Sequence, residues 1–430
     1  MNSGVTRRQM SIIVAAIFLL AVALRVAIIV LRPQPWAPNE MARVARSLLT
    51  TGMFADPYVI PTGPTAHVAP FGALIVTVIY RIFGIGPLGD IVSRIGSALA
   101  TACLAALMPW LSLRLRLGLR TGVVAGLIVA LPLSVSGELT PEWEAAYVAL
   151  TLMILFAFTV QRPWAAAIQT RAQRLRGAAI LGIGWGLAFH LAPTGLPVLI
   201  ALLGCAVLLP SGGRMRDRLL RATMTGAVAA LVCLPWAIRN YRQLGAIVFV
   251  RDNFGLELSV GNNDSASVTE SANFASGGYQ SHPSINGEQA ALVRVMGEIP
   301  YNRMRLRETT GWIRTHRSRF ARLTAGRVKQ FWFPRTPRPM RDVAVVGVTI
   351  AALAGLVLLF RTRLQLAVAI TAVLFVFPLI YYVLMWDPRY SHPIWWLRAL
   401  LAGYFCSVAW RWLSSRRVAG FPLPAIVASG

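Results

Sequence analysis

Acids and histidines are scarce in this 430-residue chain, with 16 Asp or Glu and 5 His, and most of the candidates for chemistry sit in a few short polar stretches. Pro38-Asn39-Glu40-Met41-Ala42-Arg43 opens a short helix in which Met41, Val44, Ala45, Leu48 and Leu49 share one face. Glu40, in its first turn, is placed for general acid or base work, or simply for the positive end of the helix dipole. A Pro-rich turn from Pro57 to Pro70 then presents His67, which faces water, headgroups or a site. Further on, Gly137-Glu138-Leu139-Thr140-Pro141-Glu142-Trp143-Glu144 supplies three carboxylates. Glu144 starts an apolar run, where an ionisable group is costly and so a functional candidate; a hydrated turn suits Glu138 and Glu142 better. Two arginine clusters complete the set: Pro235-Trp236 with Arg239-Asn240-Tyr241, and Asp387-Pro388-Arg389-Tyr390-Ser391-His392-Pro393. A guanidinium there can pair bidentately with a phosphate, or can snorkel to the interface.

These residues have to be held by membrane helices. The chain is 56% hydrophobic and 13% charged, where soluble domains carry about 25% charged residues. Apolar runs fall near residues 10–31, 69–84, 92–113, 121–137, 144–161, 177–191, 194–210, 222–239, 341–360, 364–386 and 394–413. If the short run 69–84 lies on the membrane and the other ten cross it, the short loops with Arg7 and Arg8, Arg114 to Arg120, Arg162 to Arg176, Arg214 to Arg221, Arg361 with Arg363, and Arg411 with Arg416 all become cytoplasmic, as the positive-inside bias requires. Residues 32–91, the turn Glu138 to Trp143, residues 240–340 and the turn Asp387 to Pro393 then face outward. The net charge of +26 follows from this topology, and no nucleic-acid partner is expected. The four cysteines, Cys103, Cys205, Cys233 and Cys406, lie in apolar runs and form no disulfide framework. Thr6-Arg7-Arg8-Gln9-Met10 has the look of a twin-arginine signal, but the run continues past Arg25 without a cleavage site and reads as a retained span.

Residues 240–340 carry 14 Lys or Arg against 7 Asp or Glu, which does not prevent export of so long a segment. Gly, Asn and Ser up to about residue 287 predict irregular loop. Apolar spacing from Glu288 to Phe331 predicts one or two amphipathic helices.

In this order, the polar stretches resemble the bacterial membrane glycosyltransferases that include protein O-mannosyltransferases and the lipid A aminoarabinose transferase, enzymes of the GT-C fold. The resemblance rests on an acid soon after the first span, a Pro-containing approach to a juxtamembrane helix ending Phe83-Gly84, a second acid about a hundred positions on, and Gly182-Ile183-Gly184-Trp185-Gly186-Leu187-Ala188 with Pro193-Thr194. A narrower bacterial subgroup shares Gly63-Pro64-Thr65-Ala66-His67, Pro235-Trp236 with Arg239-Asn240-Tyr241, Asn253-Phe254-Gly255-Leu256-Glu257 with Gly261-Asn262-Asn263, and Arg389-Tyr390 with His392-Pro393.

The resemblance implies an all-α integral membrane protein of about ten transmembrane helices, with juxtamembrane helices in the first outer loop and a periplasmic insertion of about a hundred residues. Residues 1–240 would form the catalytic transmembrane module (first outer loop 32–91), 241–340 the periplasmic loop domain and 341–430 the C-terminal helices. It also implies transfer of a sugar, with inversion, from a polyprenyl-phosphate donor to an outward-facing glycan, lipid or protein acceptor, in the bilayer of a bacterial inner membrane with both termini cytoplasmic. Glu40 would be the general base, Glu144 the second acid with Glu142 as runner-up, and Arg239, Asn240, Arg389 and Tyr390 the phosphate or donor site. Relatives have Asp-Glu or a lone Asp where this chain has Asn39-Glu40. The aminoarabinose transferase has a Glu before a Pro-Pro pair where this chain has His67-Val68-Ala69-Pro70, so a divalent metal, with His67 as a ligand, is left open. The readings set against this one are a carrier of a lipid-linked or soluble solute and a GT-C scaffold without catalysis.

Overall fold

The computed structural model describes residues 6–32, 37–133, 144–161, 170–209 and 214–419, and among these the regular structure is helical. The first long helix, α1 (Arg7–Leu31), starts in a capping box: the Thr6 hydroxyl accepts from Gln9 N at 3.2 Å and Gln9 Oε1 accepts from Thr6 N at 2.8 Å. Then come α2 (Glu40–Thr51), α3 (Pro70–Phe83), α4 (Pro87–Arg114), α5 (Leu119–Ala130), α6 (Ala145–Gln161), α7 (Arg171–Leu191), α8 (Leu196–Leu208) and α9 (Met215–Leu244). Five short or medium helices follow: α10 (Phe254–Gly261), α11 (Glu270–Ser276), α12 (Gly287–Met296), α13 (Glu298–Thr315) and α14 (Arg317–Trp332). The chain then returns to long apolar helices, α15 (Pro339–Thr362), α16 (Leu364–Val376) with the short α17 (Leu379–Val383), and α18 (Trp395–Ala419).

Among the described residues each apolar run of the sequence overlaps a helix, and the run 364–386 overlaps two, α16 and α17. Among the described residues Arg7–Leu31, Pro87–Arg114, Met215–Leu244, Pro339–Thr362 and Leu364–Val383 are long and apolar enough to cross a membrane, and Pro70–Phe83, Leu119–Ala130, Ala145–Val160 and Pro193–Leu208 are shorter apolar helices. With 14 residues, α3 is about 21 Å long at 1.5 Å per residue, short of the ~30 Å hydrocarbon core. Its buried face, Gly72, Ala73, Val76 and Tyr80, packs on α2 and α4, while Leu74, Val78 and Ile82 are exposed.

Helix pairs approach closely where side chains are small, as is general in membrane bundles. On α15, Gly355 leaves room for α18, because a Cβ there would sit 2.1 Å from Leu401 O. The shared core runs through Ala102, Ala105 and Met108 of α4, Ala149 and Phe156 of α6, Ile370 of α16 and Trp396, Leu397 and Leu400 of α18.

The stretch up to residue 287 is more ordered than its composition suggests. It contains α10 and α11, and tertiary contact explains why: a Cβ on Gly261 would lie 1.8 Å from Leu384 O, so the end of α10 is pressed onto the segment after α17. Arg327 of α14, fully buried, holds the same joint by donating to Gly261 O, to Val383 O at 2.9 Å and to Asn262 Oδ1 at 3.2 Å. Three helices, α12 to α14, occupy residues 287–332, one more than the apolar spacing suggests, because Gly297 at φ +84° breaks α12 from α13.

Candidate functional site

Asn39 caps α2, its side chain accepting from Met41 N at 3.0 Å and Ala42 N at 3.2 Å, and this fixes Glu40 in the first turn. The Glu40 carboxylate accepts a hydrogen bond from the Ser284 hydroxyl. On the far side of α2, Met41, Val44 and Ala45 are buried against Val68, Ala73, Val76 and Tyr80.

The turn that carries His67 is fastened to residues far along the chain. Asp56 Oδ1 accepts from Thr62 N at 2.9 Å and Gly63 N at 2.8 Å, closing the turn on itself. Glu298, at the start of α13, accepts from the Thr65 hydroxyl and from Ala66 N, the latter at 2.7 Å. Arg251 Nε donates to His67 O, and Asp252 N donates to Ala66 O at 2.9 Å. His67 is thereby buried to 1% exposure.

Residues 281–284, between α11 and α12, close the site. His282 is fully buried, its ring stacked on Tyr279 at 4.9 Å between centroids and 5.9 Å from that of His67. Its Nδ1 accepts from Ser284 N at 3.0 Å, which turns Nε2 toward the carboxylates, 4.0 Å from Glu257 Oε1. Glu257, on α10, also accepts from Asn253 Nδ2 at 3.0 Å.

Burial alone would raise the Glu40 carboxyl, but His282 and His67 beside it and the Ser284 hydroxyl more than offset this, so it titrates below its ordinary value. His67 is itself pushed down to about 4 by burial, with Arg251 adding to the effect, and is neutral at pH 7. Glu257 would also be raised by burial, but His282, His67 and Arg251 bring it down to about 2.

Above this cluster opens a cavity of about 620 Å³. Its polar lining is Glu40, His67, Glu144, Arg251, Asn253, Glu257, Tyr279, Arg389 and Tyr390, and its apolar lining includes Val148 of α6, Leu196 of α8, Val376 of α16 and Ile380 of α17. A narrower apolar pocket along Val148, Thr151, Leu152 and Leu155 of α6 shares Val148, Ala192 and Phe377 with it. Glu144 stands at the start of α6 with Oε2 buried and without a hydrogen-bond partner among the described residues. Arg389 lies in a 3-10 turn, Pro388–Ile394, that Asp387 caps by accepting from Arg389 N at 2.9 Å. Tyr390 stacks on Tyr381 at 4.4 Å in the cavity wall.

The structure thus brings together Glu40, His67, Glu144, Arg389 and Tyr390, and it places Arg239 and Asn240 elsewhere. Arg239 donates to Thr65 O and Phe54 O, both at 2.7 Å, with its guanidinium over the Phe54 and Trp236 rings. Asn240 is fully buried and donates to Val248 O at 2.8 Å. Neither lines the cavity. Glu138 and Glu142 lie outside the described residues. Sequence reasoning passed over Arg251, Glu257, His282 and Ser284. Glu257 stood inside a quoted string without a role, and His282-Pro283 repeats the His-Pro pair of His392-Pro393, a signal visible only in retrospect.

Glu40, His67 and His282 each turn one ligand-capable atom toward a common point, all within 4.8 Å of one another. His67 Nδ1 and His282 Nε2 are buried without a hydrogen-bond partner among the described residues. A carboxylate with two imidazoles suits an ion of the zinc or manganese class. His67 offers a lone pair as it stands; His282 does so at Nε2 only in the tautomer that releases Ser284 N–H from Nδ1. A divalent cation therefore fits at Glu40 and His67, with His282 joining in that second tautomer.

No sequence-family profile and no curated protein sequence matches this chain, but solved structures resemble it. The archaeal oligosaccharyltransferase AglB from Archaeoglobus fulgidus, in complex with an inhibitory peptide and a dolichol-phosphate, superposes with a TM-score of 0.54 at 16% identity. The alignment covers 97% of this chain and 52% of AglB, so the chain spans about half of that protein's length. ArnT from Cupriavidus metallidurans bound to undecaprenyl phosphate aligns at 15% identity over 97% of this chain and 80% of its own, with a TM-score of 0.38. The likeness to AglB, extending over nearly every residue, shows that this chain has the GT-C fold.

Proposed function

We propose that the protein is a membrane glycosyltransferase that moves a sugar from a polyprenyl-phosphate donor to an acceptor hydroxyl at the outer face of a bacterial inner membrane. The observation that carries this reading is the mixed lining of the cavity: Glu40, His67, Arg251 and Arg389 stand in one wall set with apolar residues of α6, α8, α16 and α17, and a second apolar pocket against α6 shares Val148, Ala192 and Phe377 with it. An amphiphile with a phosphate head and a hydrocarbon tail matches that mixture, whereas a soluble sugar nucleotide has no use for the apolar lining.

In the arrangement proposed, ten crossings (α1, α4 to α9, α15, α16 with α17, and α18) leave both termini cytoplasmic, with α2, α3 and α10 to α14 outside. The acceptor hydroxyl approaches Glu40, which takes its proton as the oxygen attacks the anomeric carbon. The bond from that carbon to the phosphate oxygen breaks, its electron pair leaves with polyprenyl phosphate, and the sugar inverts. Arg389 and Arg251 face the charge that gathers on the phosphate. Ser284 orients the Glu40 carboxylate, and Glu144 stands ready for a second polar contact with donor or acceptor. A divalent cation at Glu40 and His67 would add Lewis-acid stabilisation of developing negative charge.

Turnover decides the matter. Purified protein in lipid, given a panel of radiolabelled polyprenyl-phosphate sugars, is expected to release sugar from one donor, and Glu40→Gln to lose that release by ~10²-fold or more. Normal turnover in the mutant would remove Glu40 as the base. Neither release nor donor binding by a folded protein would remove the transferase reading.

A further inference from the structure

Arg389 reaches the cavity with its guanidinium already shared. Its Nη2 lies 2.8 Å from Glu270 Oε2 and 2.9 Å from Tyr390 Oη, and its Nε lies 3.9 Å from Asp387 Oδ1. Arg389 lines the cavity and Glu270 does not, so the Glu270 carboxylate stands behind the guanidinium rather than in the path of a ligand. It is also held there by backbone: Glu270 N donates to Trp386 O at 2.9 Å, and Thr269 forms a bridge with Trp386, one residue before the segment that carries Asp387 and Arg389. A carboxylate fixed in this position both orients the guanidinium and offsets part of its charge toward a phosphate.

The reaction proposed above supplies a reason for it. A polyprenyl-phosphate sugar is a phosphodiester with one negative charge, and transfer turns it into a monoester carrying about −1.5 to −2 at pH 7. An unshared arginine would therefore hold the product more tightly than the donor. We propose that Glu270 is a positioning residue that acts through Arg389, holding the guanidinium toward the cavity while weakening its grip enough for the phosphate product to leave. The inference rests on the cavity being the site of a polyprenyl phosphate.

Burial pushes the Glu270 carboxyl up to about 7, against the pull of Arg389 and with Asp387 adding to the rise. The other ionisable groups that face it are Glu257 of α10, Tyr279 beyond α11 and Tyr390. As pH rises through neutrality Glu270 gains its charge, and the cavity is expected to hold phosphate less tightly.

The test is binding of a short-chain polyprenyl phosphate to the full-length protein in nanodiscs between pH 6 and pH 8, for wild type, Glu270→Gln, Glu270→Asp and Arg389→Gln. Glu270→Gln is expected to bind about tenfold more tightly than wild type at pH 8, the order of effect of one nearby like charge, and to lose the part of the pH dependence that Glu270→Asp keeps. In turnover it is expected to lower kcat and KM together, the mark of retained product. A purely structural role for Glu270 would instead show as loss of binding and of thermal stability together, and would overturn the proposal. Equal binding by wild type and Glu270→Gln at every pH, with Arg389→Gln defective, would also overturn it while leaving the phosphate site in place. Absence of binding in all four folded proteins would overturn the phosphate reading itself, and this inference with it.

Discussion

The C-terminal end of α9 and the turn between α17 and α18 look alike on paper: each puts an arginine beside an aromatic residue at the end of an apolar run. In the folded chain they do different work. Arg239 spends its guanidinium on two carbonyls of the segment between α2 and α3, Thr65 O and Phe54 O. Arg389 finds carboxylates behind it and a cavity in front. The lesson is that an out-of-place arginine announces a need for acceptors without saying whose. Other described arginines answer that need with backbone as Arg239 does, among them Arg25 on Ala130 O at 2.7 Å and Val129 O at 3.1 Å, Arg327 on Val383 O at 2.9 Å, and Arg398 on Phe331 O at 3.1 Å. Each ties down a helix end or loop whose carbonyls would otherwise be buried unpaired.

That contrast can be broken by exchanging the two losses. Arg389→Gln is expected to cut turnover by about 10²-fold, the scale of losing one donor to a developing oxyanion, with thermal stability largely kept. An Arg389 variant that unfolded while retaining its specific activity would show it to be a second clamp. Arg239→Gln should do the reverse, costing about 2–4 kcal/mol of stability for two charge-assisted hydrogen bonds to carbonyls, with kcat per folded molecule unchanged. Denaturation followed by activity on the same sample reads both; a kcat defect in fully folded Arg239→Gln would return that residue to the site.

Glu298 sharpens the clamp side, since it fastens Thr65 and Ala66 from the opposite direction. Burial, the largest influence, raises its carboxyl to about 7, while the unfolded chain keeps the ordinary value near 4.3. The folded state therefore holds the extra proton between these values. The contribution is fully present below about pH 4 and is lost as pH rises through about 7, on the order of 1–3 kcal/mol. Glu298→Gln keeps an acceptor for Ala66 N and offers its amide N–H to Thr65, so its stability is expected to stay flat from pH 5 to 8 where wild type declines. Parallel profiles for the two would place the carboxyl elsewhere on the scale. The smallest effect concerns the cation: added Mn²⁺ or Zn²⁺ is expected to raise the melting temperature of wild type by a few degrees, about 1 kcal/mol of linked binding, and to leave Glu40→Gln and His67→Ala unmoved. A shift of the same size in all three would mean the ion binds elsewhere.

Much of the scaffold was legible because it is written in local terms. Apolar runs mark the helices, and Asn39 before an amphipathic stretch marks α2 and sets Glu40 at its start. His67 was legible as a histidine in a rigid turn, though nothing local says that it is fully enclosed. His282 and Ser284 were not legible, because they reach Glu40 across more than 240 residues of sequence from a Gly-, Asn- and Ser-rich stretch without periodicity. Glu257 was hidden for a related reason: α10 is short and gains its place from Gly255 and Gly261 fitting against Asn302 O and Leu384 O, contacts that no spacing rule describes. The role of Arg239 was out of reach of composition, since the same residue type at the same kind of boundary serves both purposes.

The fastening of the segment between α2 and α3 has a consequence for synthesis. Residues 52–69 leave the ribosome early, yet the side chains that hold them, Arg239, Arg251 and Glu298, follow some 170 to 230 residues later. At 5–20 residues per second the loop waits on the order of ten seconds or more before its last partner exists. During that interval Glu40 has no Ser284 and His67 has no enclosure, so a nascent chain arrested before Glu298 would carry its early spans and still lack the site. Closure of the site is thus a late, long-range step of the kind that loop entropy makes slow, and the protein becomes competent only when its two distant halves have met.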